Sequence, residues 1–220
     1  MPQLVSPYKD VEQHTVVSLE PYQMNSDIAI NTKINLKNKV ENKCNKYGYI
    51  VKVHKILETS DGNLPAENFS GNAIYDIKYH AKICIPINNT YIIGKIMVSN
   101  KKLIVATNGP IRIFIPKNNI DTTNFEIRNN DLFHKKTNKN LDLDTYIKVL
   151  ILNHKISQNS TEINSIGILN NIASDSEIKK FFGSEIGSSQ TNKNNYISLS
   201  DEESDNESND NDNEENNFII

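Results

Sequence analysis

Two carboxylates one residue apart, Asp142 and Asp144, two isolated cysteines, Cys44 and Cys84, and five histidines, His14, His54, His80, His134 and His154, are the groups that could hold a metal or move a proton. Their spacing does not organise them. The cysteines have no CxxC partner and the histidines no HxxxH pairing, so neither a zinc site nor a disulfide framework is encoded. Alternate carboxylates entering a strand are ordinarily solvated. GxSxG, GxxxxGKS/T and HExxH motifs are missing as well. The chain is therefore expected to have no catalytic residues, no metal, no cofactor, and two free, partly buried thiols.

The remaining chemical resource is positive charge. Between Asp201 and Glu215 lie 9 of the 27 acidic residues and none of the 24 basic ones, so the body is basic and the tail acidic. A basic body suits contact with phosphate backbones, though charge alone weighs equally for solvated lysine. At 220 residues and 37% hydrophobic, the chain can bury one ordinary core or two small ones. No stretch approaches about 20 uninterrupted apolar residues, so no membrane partner is expected. MPQLVSPYKDVEQH lacks a basic n-region and an apolar h-region, which points to an intracellular protein.

The elements that must position these groups are mostly short strands. After a loose leader over 1–15, Val16–Leu19 reads as a strand, and Asn25 or Ser26 can cap a helix running to about Asn42. Ile28, Ile30, Ile34, Leu36 and Val40 would give that helix an apolar side, opposite Lys33, Lys37 and Lys39. Ile50–Ile56 alternates as a half-buried strand, Asp61-Gly62-Asn63-Leu64-Pro65 signals a turn in a loop reaching Gly71, and Ala73–Ile77 and Ala81–Ile85 form a strand pair stopped by Pro86. Strands Tyr91–Val98, Lys102–Thr107, Ile111–Ile115, Tyr146–Ile156 and Ile163–Leu169, with a long connection over Asp121–Asp144, match a five-stranded OB barrel. Ser174-Asp175-Ser176-Glu177 has the form of a capping box for a short helix.

The ordered segments YGY, GNAIY, IKYHAKICIP, GKIMVSNKK, NGPIRIFIP and NNI, lying between Lys43 and Ile120, resemble those of the seventh-subunit family of RNA polymerase II, which has an archaeal counterpart. The resemblance runs from about Val16 to Leu169. It implies an α+β tip domain (one helix on a small antiparallel sheet) over 16–86, then an all-β S1-type OB domain over 87–172; the capping box and the composition beyond it add a short helix over 173–186 and a disordered acidic tail over 187–220.

By that resemblance the protein is a non-catalytic stalk subunit of a DNA-directed RNA polymerase. Its implied partners are the large core subunits, a companion stalk subunit, and nascent RNA held weakly. Asp61, Gly62, Asn63, Leu64, Pro65 and Gly71 are the implied core-docking residues, while Lys46, Tyr47 and Gly48, matching the family's K-Y-G, are expected to be architectural. The chain departs from S1 domains where a glycine and an exposed aromatic usually face RNA. Here stand Lys102-Leu103-Ile104-Val105, and Asn118 or Asn119 replaces a common histidine. With Phe114 assigned to the core, phosphate contact falls to Lys95, Lys101, Lys102, Arg112, Lys117, Lys135, Lys136 and Lys139. The alternative is a free-standing OB-fold RNA-binding protein, which would have no use for Val16–Pro86.

Abundant Asn, Ile and Lys fit an A/T-rich genome such as that of a large DNA virus, which would place the protein in a cytoplasmic viral factory or a virion. A cellular copy would be nuclear. In the tail, Ser200 and Ser204 precede acidic residues as acid-directed kinases favour, and the tail could cover the lysines of the body.

Overall fold

The computed structural model describes residues 2–66, 68–100, 102–128, 131–136 and 139–183. Lys101 and everything from Ser184 onward, including the acidic run and its two serines, lie outside them.

The N-terminal half is a four-stranded antiparallel sheet carrying one helix. Strands β1 (Tyr8–Leu19), β2 (Lys43–Asn45), β3 (Gly48–Thr59) and β4 (Ala73–Cys84) lie in the order β1-β4-β3-β2, with helix α1 (Ile28–Val40) against β1, β2 and β3. Alternation along β4 puts Ile77, Tyr79, Ala81 and Ile83 into a core with Val17, Ile50, Val53, Leu36 and Val40. Burial pushes the Tyr79 phenol up to about 12.

Three expectations are corrected here. The leader is not loose, because β1 begins at Tyr8, and Val5 donates to the Tyr91 carbonyl while Tyr91 donates to that of Gln3. Ala73–Ile77 and Ala81–Ile85 are one continuous strand, paired with β1 and β3 along its length. Helix α1 starts later than expected and buries Thr32, Leu36 and Val40, a stripe at four-residue spacing that leaves Ile30 and Ile34 59% and 48% exposed. The Asn25 side chain accepts from the backbone of Asp27 and shapes the turn before the helix rather than capping it.

The second half is a closed five-stranded barrel of β5 (Tyr91–Ser99), β6 (Leu103–Asn108), β7 (Ile111–Pro116), β11 (Tyr146–Lys155) and β12 (Ile163–Ile172), in the order β11-β12-β7-β6-β5. β7 and β12 run parallel and every other pair antiparallel, which is the OB pattern. Ile92, Ile96, Ile104, Ile111, Ile113, Ile115, Ile147, Val149 and Ile151 fill its interior. The long connection contains a small sheet, β8 (Phe125–Arg128), β9 (Asp131–His134) and β10 (Lys139–Asn140), which the sequence did not announce. Phe125, Leu132 and Leu141 from this region join the barrel core, and the buried His134 ring lies 3.1 Å from the side-chain oxygen of Asn171.

The two halves share material. Cys84, the last residue of β4, is buried in the barrel core, and Tyr8 and Tyr49 pack against that same core. Burial pushes the Cys84 thiol up to about 12, although the Tyr8 hydroxyl bonded to it acts in the opposite sense. On the outer edge of the sheet, the backbone of Cys44 in β2 donates to the Ser160 carbonyl at 2.8 Å and accepts from Asn159 at 2.8 Å, so the β11–β12 loop adds itself to β2. Gly48, at φ +138, permits this seam: a Cβ there would stand 2.8 Å from the Cys84 carbonyl oxygen.

Helix α2 (Asp175–Phe182) forms as the capping box requires, with Ser174 Oγ accepting from the Glu177 amide and the Glu177 carboxylate accepting from that of Ser174. Phe181 reaches the barrel core, and Lys148 meets Glu177 at 2.8 Å. The Lys148 hydrogen bond is the chief cause holding the Glu177 carboxyl below its ordinary value of 4.5. A depressed carboxyl stabilises the fold above its unfolded pKa, and that contribution is lost as pH falls through the folded one. Glu177→Gln is thus expected to cost about 1 kcal/mol near neutral pH, with the difference closing below the depressed pKa. Urea unfolding of both proteins across acid pH checks this; a constant gap would refute it.

Candidate functional site

The loop between β3 and β4 brings together all six residues expected to dock, and its base is zipped. Ser60 donates to the Asp76 carbonyl, and Asn63 and Ile74 exchange a pair of backbone bonds at 2.9 and 2.8 Å. Beyond them Asn68 donates to the Pro65 carbonyl and Gly71 to that of Asn68, folding the loop back on itself. Asp61, Gly62, Asn63, Leu64 and Gly71 are exposed and Pro65 is half-buried. Leu64 is 60% exposed and Phe69 fully exposed, two apolar side chains that the surrounding fold does not use. Phe69 was missed in the sequence; its signal was an aromatic inside an otherwise polar turn. The loop leaves the end of β4 opposite Cys84, about 35 Å away at the rise of an extended strand.

On the barrel, Lys95, Thr107 and Arg112 stand in one register row across β5, β6 and β7. Two of these are already neutralised. Lys95 meets Asp144 at 2.9 Å, a bond that raises the lysine pKa, and Arg112 meets Glu162. Lys102 and Lys117 are exposed and adjacent, the Lys117 amide donating to the Lys102 carbonyl at 3.1 Å. Lys117 also shares a shallow cleft with Lys135 and Glu126, the Lys135 ammonium donating to the Thr122 carbonyl, and Lys136 is exposed next to it. The structure therefore gathers Lys102, Lys117, Lys135 and Lys136 apart from the paired Lys95 and Arg112. Lys101 is outside the described residues, and of Lys139 only the backbone, in β10, is described.

The expectation for Phe114 is overturned. Along β7 the isoleucines 111, 113 and 115 point inward, and Arg112, Phe114 and Pro116 outward. Phe114 is half-buried on the outer face, in one row with Val105 and the 47% exposed Ile166. The outer face of the barrel therefore carries one partly exposed aromatic ring on β7. Asn119 is committed to a structural bond, donating from its side chain to the Gly167 carbonyl.

The groups first suspected of chemistry are dispersed. Cys44 and Cys84 are free and buried, and burial raises both thiols. Asp144 is taken by Lys95, and His54 lies 3.1 Å from Asp10 on the exposed side of the tip sheet. Among the described residues no three His, Cys, Asp or Glu side chains gather as a metal site would require. No helix among them is long and apolar enough to cross a membrane.

Residues 14–71, from the middle of β1 to the end of the β3–β4 loop, match the domain family described as "SHS2 domain found in N terminus of Rpb7p/Rpc25p/MJ0397". Over 165 residues the chain is 38% identical to a protein of Acanthamoeba polyphaga mimivirus named "Putative DNA-directed RNA polymerase subunit L376". That match covers 75% of this chain and 83% of the viral protein. It reaches well beyond the helix-bearing sheet into the barrel, so that both halves share one ancestry, and the chain belongs to the Rpb7-like, seventh-subunit family of RNA polymerase subunits.

Proposed function

We propose that the protein is the non-catalytic stalk subunit of a viral DNA-directed RNA polymerase, docking on the large core subunits through the β3–β4 loop and holding its barrel beside the emerging transcript. The observation that carries this reading is the loop itself. A zipped hairpin end that projects a free leucine and a free phenylalanine, far from the barrel, is suited to insertion into another protein. A companion stalk subunit and a location in a cytoplasmic viral factory follow from the same reading. Purification of the native complex with identification of its components by mass spectrometry tests it. Recovery with the large polymerase subunits is the expected result, and recovery as a free protein on RNA would favour the independent OB-fold reading.

For the barrel, Lys102, Lys117, Lys135 and Lys136 supply phosphate contacts and Phe114 a stacking surface, giving weak RNA binding with little sequence preference. Phe114→Ala is expected to lower affinity for a single-stranded oligonucleotide about fivefold or more, since stacking contributes about 1–3 kcal/mol per base. Lys102→Ala with Lys117→Ala should instead reduce the dependence of binding on salt. Fluorescence anisotropy over a salt series separates the two effects, and an unchanged slope in the lysine variant would remove those residues from the interface.

A further inference from the structure

Between the first turns of α1 and the far end of β3 runs an open groove of about 430 Å³. Ile28, Ile56 and the Tyr75 ring make it apolar, and all three are only half-buried. The helix offers it small side chains, Ala29 and Thr32, and the Thr32 hydroxyl is spent on the Ile28 carbonyl. Strand β3 reaches the groove through register shifts after Ile50, Val53 and Ile56, the mark of bulges that each add a residue and a twist. Lys55 and Ile56 can thus both line it, although a regular strand would send neighbours to opposite faces.

One lysine stands on each bank, Lys33 on the helix and Lys55 on the strand, and both are exposed. Neither ammonium has a carboxylate partner among the described residues, and no carboxylate lines the groove. Glu58 at the end of β3 is engaged by Lys78, and Glu41 after α1 by the Val53 amide. The groove thus keeps its positive charge, unlike the row at Lys95 and Arg112. In the helical row beside Lys33, the exposed Ile30 and Ile34 extend the apolar surface.

We infer that this groove docks an acidic segment of a partner protein, with an apolar side chain seated between Ile28, Ile56 and Tyr75 and carboxylates to either side of it meeting Lys33 and Lys55. Cations on opposite banks of an apolar floor call for anions on both sides of an apolar group. A peptide supplies that arrangement, whereas a fatty acid carries a single terminal charge. RNA is the poorer fit, because the one ring at the groove, Tyr75, is half-buried with Gly62 packed against it, a Cβ there standing 2.6 Å from the ring. The partner is distinct from the core subunits assigned to the β3–β4 loop, and the test keeps the two apart.

The test uses the full chain and a fluorescein-labelled ten-residue peptide, phenylalanine and leucine at its centre and four glutamates on each side, read by anisotropy. Lys33→Gln with Lys55→Gln should weaken binding about fivefold at low salt, as expected for two surface ion pairs. Serines in place of the peptide's central pair should weaken it more than about twentyfold. Ala29→Phe, at an exposed helical position, should fill the groove and abolish binding; if that variant fails to fold, the lysine pair and the serine peptide still decide. Lys179→Gln with Lys180→Gln removes the same charge from α2 and should change affinity less than about twofold. Equal losses in the two lysine pairs, full binding by a folded Ala29→Phe, or displacement of the peptide by an equal concentration of a 12-nucleotide oligouridylate would overturn the proposal. So would a dimer of the chain that Ala29→Phe dissociates, since the groove would then serve a second copy. The groove variants should be recovered with the large polymerase subunits as the unaltered chain is. Their loss from that complex would assign the groove to the core interface and overturn the proposal, whereas groove-dependent peptide binding by a chain never found with polymerase would sustain the groove and sink the subunit reading.

Discussion

Replacing Asp61–Pro65 with a Gly-Ser linker, or Phe69 alone with alanine, is expected to remove the protein from the polymerase while leaving it folded. Phe69 is fully exposed and Leu64 60% exposed, so neither contributes to the core of its own chain. An aromatic that becomes buried at the centre of an interface commonly contributes about 2–4 kcal/mol, which would weaken association about thirtyfold or more. The linker also loosens the backbone bonds between residues 63 and 74, but β3 and β4 remain paired from Thr59 and Ile77 inward. Melting temperature should move by only a few degrees. Pull-down of the large subunits together with thermal melts of the two variants checks both halves of the expectation, and undiminished pull-down by Phe69→Ala would deny this side chain a role as anchor.

The second large effect concerns stability. Gly109 adopts φ +54 in the β6–β7 turn, and a Cβ placed there would overlap the Tyr8 hydroxyl oxygen. Gly109→Ala is therefore expected to destabilise by about 2–4 kcal/mol, combining a left-handed backbone cost of about 1 kcal/mol with overpacking of about 1–3. Tyr8→Phe removes the offending atom, and the next neighbour, the ring carbon that bears it, lies at an ordinary 3.5 Å. The phenylalanine variant alone loses a hydrogen bond to the Cys84 thiol, at about 1 kcal/mol. In the double variant the overpacking cost should vanish, giving a coupling of more than about 1 kcal/mol in a double-mutant cycle by urea unfolding. Simple additivity would mean that the two residues do not meet.

Much of the barrel was legible because strands such as β6 and β7 keep strict alternation, as in Ile111-Arg112-Ile113-Phe114-Ile115, where inward positions are aliphatic without exception. The same stretch shows the limit of reading by residue type. Phe114 looked like core because it is aromatic, yet its parity with Arg112 already placed it outside. Helix α1 misled for a related reason: isoleucine at 30 and 34 outranks threonine at 32 in hydrophobicity, but the threonine hydroxyl is satisfied by the Ile28 carbonyl and can be buried. The Gly- and Pro-rich loop between β3 and β4 was visible as a loop, whereas Phe69 within it was not visible as an anchor. Charge pairing was illegible, since Lys95 and Asp144, or Arg112 and Glu162, meet only after the barrel closes. The strand character of residues 8–15 likewise depends on β4, more than sixty positions away.

Cys84 at the end of the tip sheet, buried among barrel residues, bears on the order in which the chain can fold as it is made. The segment from Gln3 to Tyr8 emerges from the ribosome before its partners at Cys84, Tyr91 and Gly109, which follow about eighty to a hundred residues later, and the barrel cannot close until β12 has emerged. Contacts this distant in sequence make for slow, late consolidation. A fragment begun at Ile87 would expose the hole left by Cys84, Tyr8 and Tyr49 to water, and a fragment ended at Pro86 would leave β2 an open edge without Ser160. Emergence of β12, rather than completion of the helix-bearing sheet alone, is thus the point at which a stable fold can first exist.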